Sequence, residues 1–183
     1  MGDEIVREIA EKMFNEHANF VYRTAFFLTK STELADDITQ ETFIQVFRKY
    51  NTYDPSKPLQ PWIYKIAVNI TRNTLRKQKW LKFWGDLPEN RSTEFMENYI
   101  LKSEEERELW KAVTNLNLKS REIIILHFYS GLKLNEIAVC LGIPLGTCKS
   151  RLNLALNKLR KSMVNNDFEF LLKGGSTFNA SKL

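Results

Sequence analysis

Cysteine and histidine are scarce in this 183-residue chain, with two of each: Cys140, Cys148, His17 and His127. Two cysteines cannot build a disulfide framework, and the four residues match no common zinc spacing, so no metal site is expected. Glycine and proline are few, and no glycine occurs between Gly2 and Gly85. No Val/Ile/Thr-rich run sustains a period of two, so strands are not expected. No stretch approaches the roughly 20 consecutive apolar residues of a membrane span. The acidic start, Met1-Gly2-Asp3-Glu4, is followed by no apolar core of a secretory signal. A cytoplasmic, reduced protein is expected. Phosphate loops, nucleophile–base pairs and metal clusters are missing too, which argues against an enzyme and against a cofactor.

What is present is an ordinary globular balance, 43% hydrophobic and 27% charged, with a net charge of +5. The charge is uneven. Residues 1–80 carry +2, residues 81–105 carry −3, residues 106–163 carry +6, and the last twenty are neutral. Two basic blocks around an acidic piece suggest two modules and a linker, and a basic module favours a polyanion.

The periodicity is helical throughout. Ile5, Ile9, Met13, Val21, Ala25 and Leu28 recur near i+4 spacing, so residues 4–29 read as one or two helices. Ser31 or Thr32 can cap a second helix that runs to about Lys49. Pro55, Pro58 and Pro61 interrupt helix across residues 54–60, and Pro61 suits the first turn of a third helix. Gly85-Asp86-Leu87-Pro88 opens the acidic linker. Helices resume near Ser103, end near Leu116, and continue over about 119–129, 134–141 and 146–162. The expected fold is all-α. A helical domain spans 4–80, an acidic linker 81–103, a helix-turn-helix four-helix module 104–163, and a tail 164–183.

On the third helix, Lys65, Asn69, Arg72, Arg76 and Lys79 fall on one face, with Asn73 beside them and no acid among them. A solvated face usually mixes signs for i,i+4 pairing. Cations with an amide suit a phosphate track with one group able to read a base edge. Trp62, Tyr64, Trp80 and Trp84 flank the strip, Trp62 reading first as core and the set as candidates for base stacking.

Residues 134–141, a turn at 142–145 and a helix from 146 have helix-turn-helix dimensions. Gly142 gives an exit that needs positive φ, and Pro144 keeps the two helices apart. Cys148, Leu152, Ala155, Leu156 and Leu159 form one apolar face of the second helix. Ser150, Asn153, Leu154 and Asn157 point away from it, flanked by Lys149 and Arg151. Short polar groups facing bases with cations at phosphates is the layout of a recognition helix. Leu154 either touches a thymine methyl or is simply exposed.

With these residues in view, the sequence resembles the bacterial sigma-70 family of RNA polymerase sigma factors, in its small extracytoplasmic-function (ECF) group, over about residues 10–163. Residues 35–47, ADDITQETFIQVF, resemble the family's core-binding helix. Residues 61–77, PWIYKIAVNITRNTLRK, resemble the segment that opens and reads the −10 element. Residues 136–152, EIAVCLGIPLGTCKSRL, resemble the signature of the −35 helix-turn-helix. The resemblance implies that Asp36, Asp37, Gln40, Glu41 and Phe43 dock on core RNA polymerase. It implies that Lys65, Asn69, Arg72, Asn73, Arg76 and Lys79 meet the −10 strand. Arg121, Thr147, Lys149, Ser150, Arg151, Asn153 and Leu154 would contact the −35 duplex. It further implies promoter DNA as ligand, a membrane-linked anti-sigma partner, a linker threading toward the polymerase cleft, and a monomer when free. Asn73 stands where many members carry Asp, Cys148 where Val is usual, and Leu154 where a basic residue is common. The last change implies an altered, more T-rich −35 preference. Two other readings stay open: a dimeric helix-turn-helix regulator, and a protein–protein adaptor without DNA binding.

Overall fold

The computed structural model describes residues 2–83 and 104–162, with side chains at 8–81 and 107–162. Among the described residues there are seven α-helices and no strand. They belong to two compact units, one within Met1–Glu89 and the other within Asn90–Leu183. The expected linker lies outside the described residues except at its start, where helix α3 runs on to Phe83. The tail at 164–183 and Trp84 lie outside them as well.

Unit 1 holds α1 (Gly2–Thr29), α2 (Thr32–Lys49) and α3 (Leu59–Phe83). The first is one uninterrupted helix. It ends at Lys30, which turns left-handed at φ 61°. Ser31 then caps α2, its hydroxyl oxygen accepting from the Leu34 N–H at 3.2 Å and its O–H donating to Glu33 at 2.8 Å. A two-residue turn forces α1 and α2 into an antiparallel pair. α3 packs on both, and Met13, Val21, Phe43, Val46, Ile63 and Ala67 close the core between the three. Several residues facing this core are threonines. Thr39, Thr42 and Thr71 return their hydroxyls to the carbonyls of Ala35, Ile38 and Ala67 at 2.6–2.8 Å, so these three hydroxyl donors are satisfied.

Unit 2 holds α4 (Glu104–Thr114), α5 (Leu118–Ile124), α6 (Leu134–Leu141) and α7 (Leu145–Ser162). α5 continues through a wider π-type turn over Ile125–Tyr129, closed by a Ser130 N–H to Ile125 carbonyl bond of 3.0 Å. Gly131 follows with φ 68°, where any side chain would be strained. Asn117 caps α5 by accepting from Ser120 N–H at 2.9 Å. Ile123, Leu126, Ile137, Cys148, Ala155 and Leu159 are all at most 2% exposed, and they make the four-helix core.

Candidate nucleic-acid interface

The chain segment entering α3 is built before the helix begins. Asp54 accepts from the Ser56 N–H and hydroxyl and pairs with Lys57 at 3.1 Å. The Ser56 hydroxyl and N–H are the main reason its carboxyl titrates below the usual range. The Tyr53 hydroxyl donates to the Lys57 carbonyl, and the Tyr53 ring lies 5.2 Å from Trp62. Trp62 is half-buried there, consistent with a packing role. Pro61 sits in the first turn, as its fixed φ favours.

From that entry α3 runs as the spine of unit 1. Ile63, Tyr64, Ala67 and Val68 are at most 2% exposed. Lys65, Asn69, Asn73, Arg76 and Lys79 face solvent, and Arg72 is half-buried. The helix contains no acid at all. An Arg76 guanidinium N–H donates to Asn73 Oδ1 at 2.9 Å. An Asp at position 73 would accept that bond equally well but would cancel a charge. Asn73 orients the guanidinium and leaves the strip purely cationic.

In unit 2 the turn between α6 and α7 is held at both ends. Glu136 accepts from the Lys133 N–H at 2.7 Å, stapling the start of α6. Gly142 exits at φ 63°, and the Ile143 N–H returns to the Ala138 carbonyl at 3.0 Å. α7 then buries Cys148, Leu152, Ala155 and Leu159. Burial pushes the Cys148 thiol up from its ordinary value, with Arg151 opposing, so it behaves as a small apolar side chain. Lys149, Ser150, Asn153 and Leu154 are exposed, and Thr147 and Arg151 are half-exposed. The Ser150 hydroxyl donates to the Thr147 carbonyl at 3.0 Å, which leaves its oxygen free to accept. α7, like α3, carries no acid.

α2 is different in kind. Asp36, Asp37, Gln40 and Glu41 are exposed, and Glu41 accepts from Gln45 at 2.9 Å. Phe43 corrects the expectation that it offers itself to a partner: it is 3% exposed, packed edge-on to Phe14 with ring centroids 4.9 Å apart. It positions the acidic face rather than lying on it. The aromatic that does reach solvent is Phe47, together with Ile44. Sequence reasoning missed both, although two apolar residues three apart on a polar face are a readable sign. A groove between α2 and α3 runs beside this face, lined by Leu34, Asp37, Glu41, Ile70, Lys77 and Leu81.

Arg121 also departs from expectation. Its guanidinium donates to the carbonyls of Thr114 and Leu116, both at 3.1 Å, and so closes the C-terminal end of α4 onto α5. Burial lowers its pKa below the usual arginine value, with Glu122 opposing. The structure therefore uses Arg121 as an internal clamp.

Comparison with known proteins fits this arrangement. The sigma-70 region 2 profile matches residues 13–81, and the sigma-70 region 4 profile matches residues 106–159. These are the two units just described. The chain belongs to the sigma-70 family. It is an RNA polymerase sigma factor of the ECF group and directs the polymerase to promoters. It is 32% identical to the sigma factor SigV of Bacillus subtilis, over 83% of this chain and 89% of that one. It is also 32% identical to the ECF sigma factor RpoE of Cereibacter sphaeroides, over 79% and 82%. It is 29% identical to the ECF sigma factor SigE of Mycolicibacterium smegmatis, of whose length it spans 66%. The fold is shared with the sigma factor RpoE of Bartonella quintana, solved with the anti-sigma factor NepR (TM-score 0.69, 22% identity, 83% of this chain and 94% of that one). No helix among the described residues of this sigma factor is long and apolar enough to cross a membrane.

Proposed function

We propose that this sigma factor divides promoter recognition between its acid-free helices and docks on core polymerase through α2. Residues Lys65, Asn69, Arg72, Asn73, Arg76 and Lys79 meet the −10 strand. Thr147, Lys149, Ser150, Arg151, Asn153 and Leu154 meet the −35 duplex, with Arg121 acting behind them by fixing α4 against α5. Asp36, Asp37, Gln40 and Glu41 face the polymerase, with Phe43 as their support. One observation carries this reading. Two separate units each present a helix without a single acid, while α2 turns Asp36, Asp37 and Glu41 to solvent on one exposed face. Charge of one sign attracts phosphates, and the opposite sign keeps α2 off DNA and available to protein.

The work is non-enzymatic. Capturing unpaired bases at the −10 element offsets the few kcal/mol of unstacking, about as in base flipping. The free protein is monomeric and cytoplasmic and binds DNA weakly, since each unit is small and its contacts are mostly electrostatic. An anti-sigma protein, membrane-linked in the expected case, inhibits it by covering these faces. That a sigma factor of the same fold was solved with the anti-sigma factor NepR supports an anti-sigma partner.

The experiment is run-off transcription with purified protein, core polymerase and promoters randomised at both elements. Selective, protein-dependent initiation from a two-part consensus is expected. Core binding without initiation would favour the adaptor reading. Absence of core binding together with dimerisation would favour an ordinary helix-turn-helix regulator.

A further inference from the structure

Leu154 is the apolar side chain of α7 that stands most open to solvent, at 60%. On a helix, Asn157, Lys158 and Lys161 follow it at i+3, i+4 and i+7 and so share its face. All three are exposed. The opposite face is the one that packs within unit 2, through Cys148, Leu152, Ala155 and Leu159. The outer face of the C-terminal half of α7 is therefore an apolar centre with lysines around it. The surrounding sequence offers no acid to pair with them. None occurs between Glu136 and Asp167, while Lys149, Arg151, Lys158, Arg160 and Lys161 all fall in that interval. The missing acids come directly after the helix. Residues 163–172 read Met-Val-Asn-Asn-Asp-Phe-Glu-Phe-Leu-Leu, and they lie outside the described residues. Acids interleaved with large apolar groups are the complement of a face that interleaves Leu154 with lysines.

We propose that residues 167–172 dock on the Leu154 face of α7 in the free protein and hold that DNA-reading surface closed. This closing rests on the −35 reading of α7 given above and adds its regulation. Two complementarities select the occupant. Asp167 and Glu169 are the only acids after Glu136, and they match Lys158 and Lys161 in sign. Phe168, Phe170, Leu171 and Leu172 supply apolar surface for Leu154, which a phosphate backbone cannot cover. The reach is sufficient. Leu154 lies about 12 Å along the helix before Ser162, and the chain from Ser162 to Phe168 spans up to about 20 Å. Asn165-Asn166 suits the reversal between them, since Asn tolerates the left-handed backbone of tight turns. With the segment down, its carboxylates occupy the lysines that phosphates would take. Duplex binding then requires displacement, and the apparent affinity falls by the fraction of molecules that are open.

The test uses the full chain and two readouts. Carbene footprinting with peptide mass spectrometry, in the absence of DNA, reads the exposure of Leu154. Anisotropy with a short fluorescent duplex of randomised sequence reads DNA binding over a range of salt. In the chain with both Phe168→Ser and Phe170→Ser, labelling of Leu154 is expected to rise about threefold, and duplex affinity by the same factor, because one open fraction governs both. Asp167→Asn with Glu169→Gln is expected to give a gain of about twofold at low salt that vanishes at high salt, as exposed ion pairs are screened. Should the serine variant lose helix content, the amide variant makes the same labelling comparison. Equal labelling of Leu154 in wild type and variants overturns the docking. A rise in duplex affinity without a rise in labelling overturns it too, since the acids would then repel DNA without touching α7. Protection of Leu154 that grows with protein concentration would assign the face to a second copy of the chain and likewise overturn it. Failure of the −35 reading shows separately, as promoter selection without a −35 element in run-off transcription, and the labelling without DNA still decides the docking.

Discussion

α3 and α7 share a charge pattern and differ in how they are held. α3 is 25 residues long and α7 is 18. α3 is packed by both α1 and α2, so only a narrow strip of it stays open. α7 buries one face, through Cys148, Leu152, Ala155 and Leu159, and leaves a broader outer surface. A narrow strip fixed at the centre of a bundle suits a single strand laid along it. A broad face presented by a helix-turn-helix suits the major groove, which admits a whole helix. The side chains agree with that division: longer cations and two amides on α3, and short Ser150, Asn153 and Thr147 on α7.

The largest expected effect breaks one side of this comparison and leaves the other. Leu159 is fully buried in unit 2, and Leu159→Ala should cost about 3 kcal/mol, in the range of core leucine truncations. Duplex binding at the −35 element should fall with it, while single-strand binding through α3 persists. Calorimetry together with the two DNA probes reads both. Joint loss of both activities would show that the units do not stand apart in function.

Smaller changes sharpen the comparison without unfolding either unit. Asn69→Ala removes an exposed amide from the α3 strip and should cost about 1–3 kcal/mol of discrimination, relaxing selection within the −10 element alone. Lys149→Ala should instead weaken −35 binding evenly across sequences and lower the salt slope by about 1, as loss of a phosphate contact does. A selection of initiating promoters from a randomised library separates the two outcomes. Selection lost at the −35 element on changing Asn69 would contradict the division.

Ser31→Ala should destabilise unit 1 by about 1 kcal/mol, the usual cost of an N-cap, as a lowered urea midpoint. A cap at Ser31 or Thr32 was legible in the sequence because short hydroxyls before a periodic run have one local job, and the structure selects Ser31. The same holds for Gly142, whose positive φ followed from its place between two apolar-periodic segments. The helices, the cationic strip and the apolar face of α7 were legible too, since each depends on spacing within one helix. What the sequence hid depends on contacts between helices. Phe43 and Phe47 lie four apart on one helix, and only packing against α1 and α3 decides which is covered. Arg121 reaches carbonyls five and seven residues back, a geometry that no periodicity reports. The π-type turn at Ile125–Tyr129 begins inside an unbroken apolar run, Ile123-Ile124-Ile125-Leu126, which fits either winding.

The smallest expected effect concerns His17, half-buried on α1 in unit 1. Burial lowers its pKa below 6.5, with neighbouring Glu16 acting the other way. The folded state therefore holds the ring neutral, and the unfolded state takes up a proton more readily. By linkage, stability rises with pH wherever the unfolded chain binds more protons. The contribution of His17 is complete above pH 6.5 and is lost as pH falls through its lower folded value. Replacing it by Gln removes a group that must stay uncharged, so the variant should lose less stability than the wild type between about pH 7.5 and about pH 5.5. Urea midpoints at the two pH values give the comparison. Parallel losses in both proteins would mean that the acid sensitivity of unit 1 comes from its carboxylates, and that His17 is solvated well enough for its charge to cost the fold nothing.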